Sequence, residues 1–181
     1  MKTKYLTLTA IFTALTIVLS QIAIPMPGSV APLSLSLGAI YLAGAVLPKK
    51  YALYSQVLYL LMGIVGLPVF ANFTSGIGRI LGPTGGYLLA YPLMAFLVAL
   101  VVELFGKKTM VSYVLGMLAS LAVCYLFGSL WYVVVGHVSW VQSLLLTVVP
   151  FLAADLLKIA IFAVLAAALN RALVKAKLLT A

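Results

Sequence analysis

Acidic side chains are almost missing from this chain of 181 residues, which contains only Glu103 and Asp155. It also has one cysteine, Cys124, and one histidine, His137. A lone cysteine excludes a disulfide within the chain, and these scattered residues lack the spacing of metal ligands. No motif marks a serine as a nucleophile with a neighbouring base. We therefore expect neither an enzyme nor a metal-binding protein.

Apolar residues make up 66% of the chain and charged residues only 7%. A soluble domain of this length could not bury so much apolar surface in one core. The composition predicts an all-α integral membrane protein that is surrounded by lipid, with residues 1–181 forming one transmembrane domain.

The apolar stretches predict a bundle of six transmembrane helices. A span needs roughly 20 residues, so the shorter stretches are expected to tilt little or to lie inside the bundle. The segment between the third and fourth stretches is too rich in glycine and polar residues for a lipid-facing helix, and residues 129–142 suit an interfacial linker. The six stretches are residues 5–23, 32–47, 51–66, 85–105, 110–128 and 143–169.

Basic residues give the chain a net charge of +9. They occur in clusters between apolar stretches, which is a topology signal, and we expect no nucleic acid as a partner. With both termini in the cytoplasm, nine of the eleven basic residues fall on the cytoplasmic side: Lys2, Lys4, Lys49, Lys50, Lys107, Lys108, Arg171, Lys175 and Lys177.

Asp155 and Lys158 lie inside the last apolar stretch. Ionisable groups are expensive to hold within a membrane, so they persist mainly where they pair, line a cavity or bind a solute. Residues i and i+3 share one face of a helix. The two side chains are therefore predicted to present paired charges to one pocket.

Residues 66–87 form the most unusual local sequence. Glycine and proline permit tight turns there, while Asn72, Thr84 and Tyr87 offer polar groups. Arg79 suits the capture of an anionic solute. The glycines lack the spacing of a nucleotide-binding loop, and no lysine followed by serine or threonine is present. Energy for uphill transport would have to come from an ion gradient or from a partner.

One candidate function is a self-powered secondary carrier for a small organic anion, with Asp155 as a proton-relay group. Many such carriers have two halves with paired broken helices, and the sequence shows no internal repeat of that kind.

The first apolar stretch carries Ala10 and Ala14, a small-residue pair that lets another helix approach closely. Its hydroxyl residues favour contact with protein: Thr7, Thr9, Thr13, Thr16 and Ser20.

Three motifs together resemble the BioY family, the biotin-specific substrate-binding components of energy-coupling factor transporters. They are Gly-Leu-Pro-Val-Phe at 66–70, Gly-Pro-Thr-Gly-Gly-Tyr at 82–87, and Asp-Leu-Leu-Lys at 155–158. The resemblance covers essentially the whole chain. It implies a multi-pass protein of a prokaryotic plasma membrane that binds biotin without a cofactor of its own. It also implies partners, namely a coupling transmembrane component and a pair of ATPase subunits, with Ala10 and Ala14 as the coupling contact.

The resemblance further implies a biotin site. Asp155 would accept the ureido N–H groups, Asn72 would serve the ureido carbonyl, and Lys158 or Arg79 would meet the carboxylate. Thr84 and Gly85 belong to the glycine-rich motif and are expected at the ligand. The rings expected to pack against the bicycle are Tyr41, Tyr87, Tyr91 and Trp131.

Overall fold

The computed structural model describes residues 2–26, 29, 31–106 and 108–177, with nothing described for the side chain of Lys2. Lys107 of the predicted cytoplasmic set lies outside the described residues. Within the described ranges the chain forms a bundle of α-helices, with an antiparallel hairpin between the first two and a 3-10 turn, Ala71–Phe73, before the fourth. The elements are α1 Lys2–Gln21, β1 Ala23–Ile24, β2 Leu33–Ser34, α2 Ser36–Val46, α3 Lys49–Ile64, α4 Ile77–Leu81, α5 Gly85–Leu104, α6 Met110–Gly136, α7 Trp140–Thr147 and α8 Val149–Lys175.

Among the described residues, four helices are long and apolar enough to cross a membrane. They are α1 from Thr3 onward, α5, α6 and α8, whereas α2 is strongly apolar but only 11 residues long. An all-helical membrane protein is therefore confirmed. The count of six spans stays a prediction.

The helix boundaries differ from the prediction in the last third of the chain. The expected linker at 129–142 is wrong in its first half, because α6 continues to Gly136 and ends where His137 takes a left-handed φ of 51°. Ser129 is buried inside the helix, where its hydroxyl lies 3.4 Å from Thr147 Oγ1 and its carbonyl accepts a hydrogen bond from the Ser143 hydroxyl at 3.0 Å.

The expected sixth span at 143–169 is also not one helix. It is divided at Val148 into α7 and α8, and Pro150 lies in the first turn of α8. Proline has no N–H to donate, so it fits the first turn of a helix and disrupts the interior of one. The break allows α8 to begin a new helix, and this helix carries Asp155 and Lys158.

The hydroxyl residues of α1 face the bundle. Thr13 Oγ1 donates to the Ser55 carbonyl on α3 at 2.9 Å, and Gln56 Nε2 donates to Thr16 Oγ1 at 3.1 Å. These buried bonds fix α1 against α3, as expected for a helix suited to protein contact. The buried hydroxyl residues are Thr9, Thr13, Thr16 and Ser20, whereas Thr7 is exposed.

Helices α5 and α6 pack closely through glycines that face aromatic rings. A Cβ atom at Gly128 would overlap the ring of Tyr87, and one at Gly86 would overlap the side chain of Trp131. The indole N–H of Trp131 donates to the carbonyl of Gly82 at 2.9 Å. Each helix thus leaves space for a large ring from the other, and this packing directs Tyr87 along the wall of a cavity.

Candidate functional site

A cavity that is partly open to solvent lies within the bundle. Its lining comes from α1, the β-hairpin, the segment before α5, and helices α2, α3, α5, α6, α7 and α8. Because nearly every element contributes to its lining, we take this cavity as the candidate site.

Asp155 and Lys158 form the charged centre of the cavity. Lys158 Nζ lies 2.9 Å from Asp155 Oδ1, and it donates a second hydrogen bond to the carbonyl of Ser34 at 2.7 Å. The hydroxyl of Tyr125 donates to Asp155 Oδ2 at 2.8 Å. Both charged residues are buried, with 3% and 6% of their surface exposed. The pair is therefore oriented by α6 and by the hairpin, and each carboxylate oxygen keeps a further lone pair for a ligand.

Sequence reasoning missed Tyr125 and Ser34. Tyr125 lies in an apolar stretch 30 residues before Asp155, and no pattern distinguishes it from a core tyrosine. Ser34 contributes its main-chain carbonyl, which no side-chain pattern reveals. Only the packing of α6 and the hairpin against α8 brings these groups to the charged pair.

Aromatic residues form one wall of the cavity. The ring of Tyr91 stacks on that of Tyr59 at 6.1 Å between centroids, and Tyr59 packs edge-on against Phe70 at 5.6 Å. The Tyr91 hydroxyl lies 3.0 Å from Ser36 Oγ, so its polar end has a partner. All four residues line the cavity. The wall offers flat apolar surface for a ring system, with hydroxyl groups at its edge.

Arg79, Thr84 and Tyr87 also line the cavity, as predicted from the sequence. Arg79 lies on α4, is partly exposed, and makes no ion pair within the described part of the chain. The Tyr87 hydroxyl donates to the carbonyl of Thr147 at 3.4 Å. The cavity thus has a second cation, which is more exposed than the charged centre.

Four other predicted residues lie outside the lining of this cavity. Asn72 is exposed in the 3-10 turn with a left-handed φ of 58°, and Tyr41 is fully buried in the apolar core. Gly85 is buried against the carbonyl of Ile80, where any Cβ would overlap. Trp131 packs on Gly86 instead. None of these four residues is in the cavity lining, and their contacts with a ligand stay predictions.

Ala10 and Ala14 are exposed on α1, whereas four of its hydroxyl residues are buried. Ile11 and Val18 on the same helix are also exposed, at 54% and 60%. Because small side chains permit close helix approach, this face suits contact with another membrane helix. Neither alanine lines the cavity.

Named relatives of this chain are transport proteins. A "Probable biotin transporter BioY" of Pyrococcus horikoshii is 39% identical over 92% of this chain and 96% of its own length. "Biotin transporter BioY" of Thermotoga maritima is 37% identical over 89% of this chain and 92% of its own length. "Biotin transporter BioY2" of Lactococcus lactis is 34% identical, covering 93% of this chain and 91% of that protein.

A solved structure has the same fold. It is described as the S-component for biotin from an ECF-type ABC transporter, and it matches with a TM-score of 0.86 at 26% sequence identity. The match covers 94% of this chain and 92% of that one. The sequence model of the BioY family matches residues 1–175, and this chain therefore belongs to the BioY family.

Proposed function

We propose that this chain captures biotin from outside the cell and delivers it to an ATP-driven energy-coupling factor transporter. The observation that carries the proposal is the buried Asp155–Lys158 pair in a cavity with an aromatic wall. The relatives named as biotin transporters and the biotin S-component of the same fold support it.

The cavity offers the groups that biotin requires. Asp155 has carboxylate lone pairs that can accept the two ureido N–H groups, and these bonds would be strengthened by its charge. Lys158 or Arg79 can donate to the valerate carboxylate, since both cations line the cavity. The ring of Tyr91, which stacks on the fully buried Tyr59, provides a flat surface for the fused bicycle.

The proposed arrangement in the membrane has six crossings, made by α1, α2, α3, α5, α6 and α8. Lys49, Lys50, Arg171 and Lys175 would then lie on the cytoplasmic side with both termini. Helix α4 and the turn before it would lie on the outer side and present Arg79 to the entering ligand. The expected location is the plasma membrane of a prokaryote.

The expected partners are a coupling transmembrane component and a pair of ATPase subunits. The exposed Ala10–Ala14 face of α1 would meet the coupling component, and ATP would be hydrolysed by the partner subunits alone. The sequence lacks a phosphate-binding loop, which supports a non-enzymatic role for this chain.

Three experiments test this function. Radiolabelled biotin should bind to the detergent-solubilised chain, and mass spectrometry of co-purified small molecules should recover biotin. Uptake in cells should require co-expression of the coupling component and the ATPases. Recovery of another vitamin would overturn the specificity. Uphill, uncoupler-sensitive uptake without these partners would favour the secondary carrier.

A further inference from the structure

Gln21, the last residue of α1, holds both ends of a turn that follows α3. Its Nε2 atom donates to the carbonyl of Val69 at 3.1 Å, and its Oε1 atom accepts from the backbone N–H of Phe73 at 2.8 Å. Nε2 also reaches the Ile17 carbonyl of its own helix at 3.2 Å. One amide group thus bridges residues 69–73 to the end of a transmembrane helix.

The turn needs such a bridge because two of its residues adopt an unfavourable backbone conformation. Asn72 and Phe73 have φ values of 58° and 56°, in the left-handed region that costs roughly 1–2 kcal/mol for an L residue. The side chain of Phe73 is 70% exposed, so its ring gives the turn little packing. The turn also has a backbone bond from Phe70 N–H to the Thr74 carbonyl at 3.0 Å. Hydrogen bonds therefore hold the exposed part of the turn at Asn72 and Phe73, whereas Val69 and Phe70 at its start are buried in the core.

The turn forms part of the cavity wall. Phe70 and Ala71 line the cavity, and Phe70 packs against Tyr59 of the aromatic wall. Ser20 lines it too, and its hydroxyl donates to the Val69 carbonyl at 2.7 Å. A displacement of the turn would consequently move Phe70 and open the wall beside the ligand.

We propose that Gln21 is a positioning residue for ligand binding, which keeps the 69–73 turn closed against the cavity and slows the departure of the ligand. This proposal depends on the proposed function in one respect only, namely that the ligand is biotin. Gln21 itself is not among the lining residues, so it acts through the turn.

The test compares three variants of the full chain in detergent. Gln21→Met keeps the length of the side chain and removes both bonds to the turn. Gln21→Glu keeps an acceptor for the Phe73 N–H and loses the donor to Val69. Gln142→Met is the matched control, because Gln142 accepts from the Ser139 N–H at 3.2 Å and caps α7 without lining the cavity.

Two measurements are made on each variant, amide hydrogen exchange of residues 69–74 without ligand and the dissociation rate of radiolabelled biotin. Loss of both hydrogen bonds from Gln21 to the turn predicts about tenfold faster dissociation for Gln21→Met, equivalent to about 1.4 kcal/mol, with faster exchange in the turn. Gln21→Glu should lie between this variant and the wild type, and Gln142→Met should match the wild type in both measurements.

The outcomes separate the proposal from the identity of the ligand. Unchanged exchange in Gln21→Met would overturn the role of Gln21 in holding the turn. Faster exchange with a dissociation rate within twofold of the wild type would overturn its role in ligand binding. A wild-type chain that fails to bind biotin would refute the proposed ligand instead, and the exchange comparison would still decide whether Gln21 holds the turn.

Discussion

The hydroxyl of Tyr125 on α6 donates to Oδ2 of Asp155 on α8 at 2.8 Å. Lys158 occupies the other carboxylate oxygen from the same helix. The carboxylate is therefore held at a fixed angle by one partner on its own helix and one on a neighbouring helix. Preorganisation of this kind reduces the ordering cost of binding.

Replacing Asp155 should be the most damaging change to ligand binding. Asp155→Asn keeps the shape, removes the charge and leaves Lys158 without its partner. If the carboxylate accepts the ureido N–H groups, affinity for biotin should fall by roughly 1.5–3 kcal/mol, about tenfold to over a hundredfold. Equilibrium binding of radiolabelled biotin to purified protein measures this loss.

Tyr125→Phe is the companion variant, because it removes the bond that orients Asp155 and keeps the carboxylate. We expect a smaller loss than for Asp155→Asn, since Lys158 still holds one oxygen. A larger loss for Tyr125→Phe would mean that the tyrosine hydroxyl contacts the ligand directly, and that Asp155 has a structural role.

Lys158 should discriminate biotin from its neutral carboxamide. Lys158→Met should weaken binding of the acid more than of the amide, because the buried ammonium would otherwise meet the carboxylate. If the lysine only neutralises Asp155, acid and amide should lose affinity in parallel and expression should fall, since an unpaired carboxylate is left buried. Competition binding with the two ligands measures the difference.

Arg79→Gln is the matched variant for the second cation of the cavity. Arg79 is more exposed than Lys158, so its attraction for a carboxylate is weakened more by solvent. We therefore expect Arg79→Gln to reduce the preference for biotin over its neutral carboxamide less than Lys158→Met does. The opposite order would assign the carboxylate to Arg79.

Substitution of the exposed alanines of α1 should impair transport without impairing biotin binding. Ala10→Trp or Ala14→Trp should leave biotin binding by the isolated chain nearly intact and should reduce uptake through the assembled transporter, because bulk on this face blocks helix approach. Val164→Trp on the exposed side of α8 is the control and should preserve both activities. Equal loss of binding and uptake in the alanine variants would show that this face packs internally.

Cysteine labelling in intact cells should report the predicted orientation. A thiol at Ser75 should react with an impermeant reagent added outside, and one at Lys50 should be shielded. Lys50 is preferred to Lys49, because the Lys49 ammonium lies 3.0 Å from Glu103 and its replacement would break that ion pair. Labelling of the Lys50 position from outside would contradict a cytoplasmic N-terminus.

Gly128 should not tolerate a larger residue. Gly128→Ala would force a methyl group into the ring of Tyr87, and overpacking of this kind costs about 1–3 kcal/mol. The thermal stability of the detergent-solubilised protein should fall, and biotin binding should weaken because Tyr87 lines the cavity. Gly78→Ala is the control, since no atom lies within 4 Å of its Cβ position. Equal stability of the two variants would contradict the close packing of α5 on α6.

The parts of the fold that the sequence predicted are those governed by local composition. The ends of α5 lie within one residue of the predicted stretch at 85–105, because glycines flank that apolar run. The break at Val148 was not predicted, because Pro150 is compatible both with a kink inside one helix and with the start of a new one. The extension of α6 through Ser129 depends on partners supplied by α7, which a local pattern does not contain.

The charged residues of the candidate site could be predicted from the sequence. Its aromatic residues could not, because tertiary packing determines which of them line the cavity. Asp155, Lys158 and Arg79 are rare charges in an apolar chain, and all three line the cavity. Aromatic residues are common in membrane helices, so the sequence could not distinguish Tyr91, which lines the cavity, from Tyr41, which is buried in the core.

The hydrogen bonds of Thr13 and Thr16 to α3 also determine the angle at which α1 meets its surroundings. Rotation of α1 about its axis would break these buried bonds and strand their polar groups in a medium without water. Ala10 and Ala14 therefore keep the same orientation relative to α3 in every state that retains these hydrogen bonds. A helix that approaches α1 would meet the same alanine surface in each of these states.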